Sequence, residues 1–450
     1  MKLVTPSLVV EDLDGFKNDV LQRQSFGEAL LNLVVHSTDE LVISLDGKWG
    51  EGKTTFVKMW QGLLKDKGVP SIYINAFQND YTEDAFISIA GAITSYVDQH
   101  TAETQKASDF MDKAKKVGVH LLSWSAKMGI KAATLGIIEK SDIDVLSGIS
   151  EDIATDASDT IAKLVKERLS AHSNKIELIR SFRESLSEMP AALKDNGSGR
   201  LVVIVDELDR CKPSFAIEVL EKIKHLFSVK NIVFLLVMHK EQLEEAIRCV
   251  YGKIDAHTYL QKFINVETAV PKRVSDRNSD DLETYSKRLL RLHELENWVN
   301  NDHIINYLVP LARHFNLSLR QLEKVFTNMA VMYSTSDVND HSFVSIINFI
   351  CVVKVDNPSV FSKLLIGKIS YSDLCEQLGL SAQDGKNASD RKLSRIMDWV
   401  RFSMLTDSEF QEVDSNDPIR RFGEMDWSFD CERERLLSTL CQKLSMFIVK

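Results

Sequence analysis

The sequence contains no long uninterrupted apolar run and no excess of positive charge. Its most apolar window, residues 117–138, is interrupted by His120, Lys127 and Lys131, whereas a bilayer-spanning helix needs about 20 mostly uncharged residues. We therefore predict a buried or amphipathic helix here, with peripheral contact to a membrane or a partner as the alternative. The formal net charge of −10 disfavours broad, sequence-independent binding to nucleic acid or to anionic membranes.

Cysteine is also scarce, and its spacing gives no support to a metal site or a disulfide framework. The six cysteines occur without a Cys-x-x-Cys pair or a metal-binding histidine spacing, so we interpret them as reduced thiols. The N-terminal stretch MKLVTPSLVVEDLD has no apolar core of signal-peptide length. With no transmembrane segment predicted, these absences together favour a cytoplasmic protein.

Four short apolar runs predict the strands of a buried sheet. They are residues 41–45, 71–75, 201–205 and 232–237. Helices are predicted between or before them, at residues 16–36, 53–66 and 82–98 and in a segment opened by Pro213. Continuous apolar strands that alternate with helices indicate an α/β fold with a parallel sheet covered on both faces.

The stretch LDGKWGEGKT, residues 45–54, is a glycine-rich loop between a predicted strand and a predicted helix. It matches GxxxxGK followed by Ser or Thr, which is typical of a phosphate-binding P-loop. Glycines let backbone N–H groups converge on phosphate oxygens, because a Cβ would block that approach. Lys53 can reach the β- and γ-phosphates, and the Thr54 hydroxyl can bind Mg²⁺. We predict nucleotide contacts at Gly47, Lys48, Trp49, Gly50, Glu51, Gly52, Lys53, Thr54 and Thr55.

The run LVVIVDE, residues 201–207, is an apolar strand that ends in two carboxylates. Asp206 at the strand end can hold Mg²⁺ together with Thr54, and Glu207 can polarise the water that attacks the γ-phosphate. Two alternatives stay open: Asp206 as a helix cap and Glu207 as a solvated surface carboxylate.

Together these stretches resemble the KAP family of P-loop NTPases. GKWGEGKTTF and VIVDELDRCKP carry the resemblance, and further segments extend it over about residues 12–330: DVLQRQSFGEAL, YINAFQNDYTEDAF, YLQKFINVETAVPK and NLSLRQLEK. The resemblance implies the additional-strand class, in which one strand lies between the P-loop strand and the Asp206 strand and helical bundles surround the sheet. It also implies ATP with Mg²⁺ as cofactors, and the sequence carries no Asn-Lys-x-Asp motif by which a GTPase reads its base.

The resemblance carries four further residues into the predicted site. Arg320 occupies the position of an arginine that contacts the γ-phosphate, with a surface salt bridge as the alternative. Arg210 matches a structural or finger arginine, and Arg23 matches a residue of the adenine pocket. His239 stands where a polar γ-phosphate sensor is usual, although a capping or packing role is the alternative. The predicted catalytic residues are Lys53, Glu207, Arg320 and Arg210.

The predicted organisation is a core interrupted by an insert. Residues 1–99 and 199–275 form the P-loop NTPase core, and residues 100–198 form a helical insert that is too charged to span a membrane. Residues 276–345 form a helical lid-like domain, and residues 346–450 form a C-terminal helical region.

The expected function is an ATP-hydrolysing regulatory switch whose nucleotide state rearranges domains or partner proteins. The resemblance implies signalling or defence complexes, with bacterial anti-phage defence as one setting. One alternative is a nucleic-acid motor or loader, for which the basic tract at residues 287–291 offers a contact. The other is a nucleotide-bound scaffold that does not hydrolyse ATP. Protein partners would bind the helical regions, and a homo-oligomer stays an open alternative.

Overall fold

The computed structural model describes most of the chain in twelve stretches. They are residues 2–5, 15–37, 39–81, 84–100, 104–126, 176–193, 197–273, 280–297, 301–335, 343–380, 388–422 and 433–445. The predictions that residues 127–138 continue an apolar helix, and that residues 127–175 belong to a helical insert, lie outside these stretches.

Five strands form a single sheet. They are β1 (Leu41–Asp46), β2 (Ser71–Asn75), β3 (Leu201–Asp206), β4 (Ile232–Met238) and β5 (Val266–Ala269). The strand order is β2-β3-β4-β1-β5, and every neighbouring pair is parallel. Strand β4 lies between the P-loop strand β1 and the Asp206 strand β3, so the predicted additional-strand arrangement is confirmed.

Helices surround the sheet in the part of the chain up to β5. They are α1 (Gln24–His36), α2 (Lys53–Asp66), α3 (Ala76–Asn79), α4 (Ala85–His100), α5 (Thr104–Ala126), α6 (residues 176–192), α7 (Pro213–Lys222), α8 (Lys240–Tyr251) and α9 (Ala256–Leu260). A 3-10 turn, Leu208–Arg210, follows β3, and Pro213 stands at the start of α7 as predicted.

Both faces of the sheet are buried because its strands are apolar at consecutive positions. Val203, Val205 and Phe234 face a cluster formed with α4, α6 and α7. Ile204 and Leu235, which alternate with them, face a second cluster formed with α1 and α2. The sheet therefore forms the middle of three layers, and the carboxyl ends of its strands meet along one edge.

The sequence prediction differs from the structure at two elements. The helix predicted at 16–36 begins at Gln24, because Gly15 and Gln22 adopt left-handed backbone angles, with φ of 55° and 52°, which an α-helix does not tolerate. Strand β5 was not predicted, because its four residues alternate between partly buried and exposed and pair only with β1 at the sheet edge.

The described part of the chain after β5 is mainly helical, as predicted. The helices are α10 (Asp281–Leu292), α11 (Asn301–His314), α12 (Leu319–Thr335), α13 (Val344–Asp356), α14 (Pro358–Leu365), α15 (Tyr371–Gln377), α16 (Ala388–Phe402), α17 (Asp407–Glu412) and α18 (Leu436–Ser445). One apolar cluster runs from Leu289 to Leu444, with α13 buried at its centre. None of the described helices is long and apolar enough to cross a membrane.

Candidate nucleotide-binding site

The P-loop connects β1 to α2 and ends in two left-handed glycines. Gly50 and Gly52 have φ of 84° and 81°, a conformation that side chains other than glycine rarely adopt. A Cβ on Gly50 would lie 2.6 Å from the Cβ of Arg320, so a side chain at this position would collide with α12. The free N–H groups at the start of α2 point to the same loop, which makes it suited to an anion.

Lys53 is the first residue of α2 and folds over the P-loop. Its ammonium group donates to the carbonyl oxygens of Gly47 and of Lys48, the latter at 3.2 Å. Burial lowers the pKa of Lys53, and the carboxylate of Asp209 is the strongest influence that raises it again. Lys53 therefore lies in the field of Asp209, within the loop that would hold the phosphates.

Asp206 is a buried acceptor at the end of β3. Its Oδ2 accepts hydrogen bonds from the Thr54 hydroxyl at 2.8 Å and from the Tyr73 hydroxyl at 2.9 Å, and its Oδ1 accepts one from the Glu207 N–H at 2.8 Å. Burial raises the pKa of Asp206, whereas these three hydrogen bonds lower it. A carboxylate and a hydroxyl in direct contact beside a phosphate-binding loop are oxygen ligands of the kind that Mg²⁺ prefers, so the site fits this ion.

Glu207 is held in a strained backbone conformation with both carboxylate oxygens engaged. Its φ of 63° lies in the left-handed region, which costs about 1–3 kcal/mol for a residue other than glycine and is common at functional sites. One oxygen accepts from Arg210 at 2.6 Å and the other from the Asn75 amide at 3.1 Å. Asn75 is oriented for this contact because its own amide oxygen accepts the Gln78 N–H at the start of α3.

The helices that follow β5, residues 281–445 and called the helical half below, form the opposite wall of the site through α10 and α12. The Arg320 N–H, in the first turn of α12, donates to the Gly50 carbonyl oxygen at 3.2 Å, which satisfies one of the free donors at a helix start. The Arg288 and Arg320 side chains line a cavity of about 490 Å³ between this wall and the P-loop. Neither guanidinium group has a hydrogen bond or an ion pair among the described residues. This wall therefore offers two cations to an anion bound in the cleft.

Arg23 and Glu51 join the segment before α1 to the P-loop. The Arg23 guanidinium, 5% exposed, donates to the Glu51 carbonyl oxygen at 3.0 Å and lines the same cavity. Burial lowers the pKa of Arg23, although Asp281, Asp19 and Glu51 oppose that shift. The Glu51 side chain is buried beneath the loop, where it accepts the Lys48 N–H at 2.9 Å and pairs with Lys272. The backbone of Glu51 can thus face a phosphate while its carboxylate cannot.

Trp49 and His239 meet above the end of β4. The Trp49 indole N–H donates to Asp209 Oδ2 at 2.5 Å, and its ring lies edge-on to the His239 imidazole with a centroid separation of 5.5 Å. His239 is 9% exposed, and neither of its ring nitrogens has a hydrogen-bond partner among the described residues. Its side chain does not cap α8, which leaves the sensor and packing alternatives.

The structure brings the predicted site residues to the carboxyl edge of the sheet, where His239 packs against Trp49 without lining either of the two cavities described. A smaller cavity beside Lys53 is lined by Thr54, Asp206, Glu207, Arg210 and Arg320. Tyr73, Asn75, Asp209 and Arg288 also contribute to the site, and none of them was identified as a site residue from the sequence. Asn75 stands in the YINAF stretch and Arg288 in the predicted basic tract, but nothing local indicates that either side chain reaches the cleft.

Comparison with known proteins is consistent with this geometry. The family model for the KAP family P-loop domain matches residues 23–336, more than half of the chain. An uncharacterised protein of Methanocaldococcus jannaschii is 29% identical over 126 residues, which are 27% of this chain and 64% of that relative. This chain therefore covers slightly less than two thirds of the relative's length.

Two solved structures overlap this fold weakly. The ORC2 protein of Aeropyrum pernix, solved as ADPNP–ADP complexes, has a TM-score of 0.30 and 13% identity over 99% of this chain and 98% of that one. Cdc6p from Pyrobaculum aerophilum has a TM-score of 0.37 and 12% identity over 98% of this chain and 97% of that one. The family match, by contrast, includes the P-loop, both carboxylates and Arg320. The chain belongs to the KAP family of P-loop NTPases.

Proposed function

We propose that this protein hydrolyses ATP with Mg²⁺ and that the presence of the γ-phosphate sets the position of its helical half. The observation that carries the proposal is the direct contact between the P-loop and α12. The Arg320 N–H donates to the Gly50 carbonyl oxygen, and Arg320 also lines the small cavity beside Lys53. A ligand that fills this cleft would contact both halves of the molecule at once.

The roles of the sheet residues follow from their chemistry. Thr54 and Asp206 would hold Mg²⁺, which supplies positive charge to the β- and γ-phosphate oxygens when bound. Lys53 would exchange its two carbonyl partners for phosphate oxygens. Glu207 would accept a proton from the attacking water, because each of its oxygens keeps a second lone pair while Arg210 and Asn75 hold the side chain.

The helical half supplies the response to nucleotide. Arg320 on α12 and Arg288 on α10 would bind phosphate oxygens, since charge-assisted hydrogen bonds to phosphate are among the stronger contacts in proteins. Loss of the γ-phosphate would remove part of that attraction and free α12 from the P-loop. On this basis we propose that the protein is a nucleotide-dependent regulatory switch. The choice of ATP rests on the sequence, which has no guanine-reading Asn-Lys-x-Asp motif.

The nucleic-acid alternative finds no support in the tract at residues 287–291. On α10, Lys287 pairs with Glu283 at 2.6 Å and Arg291 with Glu296 at 3.5 Å. The third cation, Arg288, faces the nucleotide cavity. The tract therefore offers no continuous basic face to a phosphate backbone, which such binding requires. The scaffold alternative is disfavoured by the retained Glu207.

The biological setting is a further proposal from the family resemblance. We propose a cytoplasmic protein that engages protein partners through its helical regions, with bacterial anti-phage defence as one setting and homo-oligomerisation as an open alternative. Plating phage on cells that express the wild type or Lys53→Ala would test the defence role: protection lost in the variant supports it, and equal plaque counts with and without the protein argue against it.

Steady-state release of phosphate from Mg·ATP by purified protein tests the proposed activity. Turnover by the wild type that is lost in Lys53→Ala, and lost again when EDTA removes Mg²⁺, is the expected result. Wild-type protein that binds ATP without turnover, alone and with cell extract or DNA added, would instead support the scaffold alternative.

A further inference from the structure

Trp49 occupies an unusual place for a large apolar side chain. It belongs to the P-loop after β1, is 45% exposed, and reaches Asp209 in the turn after β3. Strand β4 lies between β1 and β3, so the Trp49–Asp209 hydrogen bond crosses the end of β4. His239 is the first residue after that strand. The indole therefore lies across the carboxyl end of the middle strand.

The Trp49 indole separates His239 from the small cavity beside Lys53. Trp49 and Asp209 line the small cavity beside Lys53, whereas His239 is not among its lining residues. His239 is nonetheless buried, and neither ring nitrogen has a hydrogen-bond partner among the residues described, although Nε2 lies 3.5 Å from the Glu241 carboxylate. A buried polar group without a hydrogen bond is unfavourable, so a phosphate oxygen or a water at this strand end would stabilise it.

Asp209 connects the indole to the charge of the nucleotide. Asp209 and Lys53 line the same small cavity, so the carboxylate lies close to the ammonium group that would bind the γ-phosphate. When Lys53 turns to a phosphate, Asp209 loses that favourable interaction and faces a new negative charge. Both changes act on the residue that holds the indole.

We propose that Trp49 is a gate that distinguishes a nucleoside triphosphate from a diphosphate. The γ-phosphate breaks the Trp49–Asp209 hydrogen bond, the indole swings away, and His239 gains access to the γ-phosphate or the attacking water. The diphosphate ends short of this point and leaves the bond in place. This inference rests on the proposed function, because it assigns the γ-phosphate to the cavity beside Lys53.

The first test compares the affinities for Mg·AMP-PNP and Mg·ADP by titration calorimetry. Trp49→Phe keeps an aromatic ring but cannot bond to Asp209, so it should tighten AMP-PNP binding about tenfold, the order expected for one charge-assisted hydrogen bond. ADP affinity should stay within about twofold. Tyr81→Phe, which alters another exposed aromatic residue, should change neither. Unchanged or weaker AMP-PNP binding by Trp49→Phe would overturn the gate.

A double-mutant cycle separates the gate from simple charge repulsion. Asp209→Asn weakens the bond to the indole and also removes a negative charge near the phosphates. If the gate exists, Asp209→Asn should raise the preference for AMP-PNP over ADP when Trp49 is present. The same substitution should raise that preference about fivefold less, or still less, in the Trp49→Phe background. Independent, additive effects would mean that Asp209 acts through its charge alone, which contradicts the proposal.

Two readouts complete the test. His239→Leu should weaken AMP-PNP about tenfold and leave ADP unchanged, since only the triphosphate reaches this residue. The Trp49 contribution to emission, taken as wild type minus Trp49→Phe, should become more accessible to acrylamide with AMP-PNP than with ADP. Equal accessibility with AMP-PNP and with ADP would overturn the gate, whereas the proposed ATP hydrolysis would still stand. Failure of the wild type to bind either nucleotide would overturn the proposed function and the gate together.

Discussion

The two walls of the nucleotide cleft differ in both charge and pairing. On the sheet wall, Asp206, Glu207 and Asp209 each accept hydrogen bonds from defined protein donors. On the helical wall, Arg288 and Arg320 face the cavity without an ion pair among the described residues. The sheet wall is organised by its own contacts, whereas the helical wall has cations available for an anion. We infer that the first performs the chemistry and that the second senses the nucleotide.

The largest expected effect comes from removing the base on the sheet wall. Glu207→Gln keeps the shape of the side chain but cannot accept a proton, so turnover of Mg·ATP should fall about 10³-fold. Equilibrium binding of ATP should change less than about threefold. Glu184→Gln, at an exposed carboxylate on α6, is the matched control and should retain full turnover. A Glu207→Gln enzyme with wild-type turnover would remove the catalytic role from this wall.

A paired arginine of the helical half should affect stability instead of turnover. Arg313 bonds at 2.7 Å to Asp280, which is 1% exposed and caps α10. Arg313→Ala leaves this buried carboxylate without its cation, which should lower the free energy of unfolding by about 3 kcal/mol. Urea denaturation measures the change, with Arg320→Ala expected to stay within about 0.5 kcal/mol. Equal losses in both variants would erase the distinction between paired and unpaired arginines.

The unpaired arginine should affect the response to the γ-phosphate. Arg320→Ala should lower kcat/KM for ATP about 100-fold, because it removes a charged donor from the transition state. It should also reduce the preference for AMP-PNP over ADP, measured by competition binding. Lys324→Ala, an exposed cation one turn later on α12, serves as the control. If kcat were unchanged, KM for ATP rose, and the affinities for AMP-PNP and ADP fell equally, Arg320 would only attract anions.

The smallest effect is expected where the sheet wall positions its base. Asn75→Ser retains a side-chain oxygen to cap α3 but loses the amide that donates to Glu207. We expect kcat to fall about tenfold with KM unchanged, as for a group that acts in the transition state. Asn75→Ala should show the same kcat and an added loss of about 1 kcal/mol in stability from the missing cap. A kcat equal to the wild type would make Asn75 a structural residue only.

The sheet wall was largely predictable from the sequence, and the helical wall was not. Strands β1, β3 and β4 are continuous apolar runs, and the P-loop and Asp206–Glu207 follow them directly, so local pattern locates the chemistry. Strand β5 was missed because it is short and half polar. Arg288 and Asn75 were missed because their roles depend on contacts between distant segments. Arg320 was found through the family resemblance, since nothing in its own helix indicates that α12 meets the P-loop.

The coupling between the walls can be measured directly as a distance. Spin labels introduced through unnatural amino acids at Lys58 on α2 and Lys324 on α12, both exposed, would report the separation of the two halves by double electron–electron resonance. In the Glu207→Gln background, Mg·ATP should give a narrow, short distance distribution and Mg·ADP a broader, longer one, and Arg320→Ala with ATP should resemble the ADP state. The same distribution in all three samples would contradict the claim that the helical half responds to the γ-phosphate.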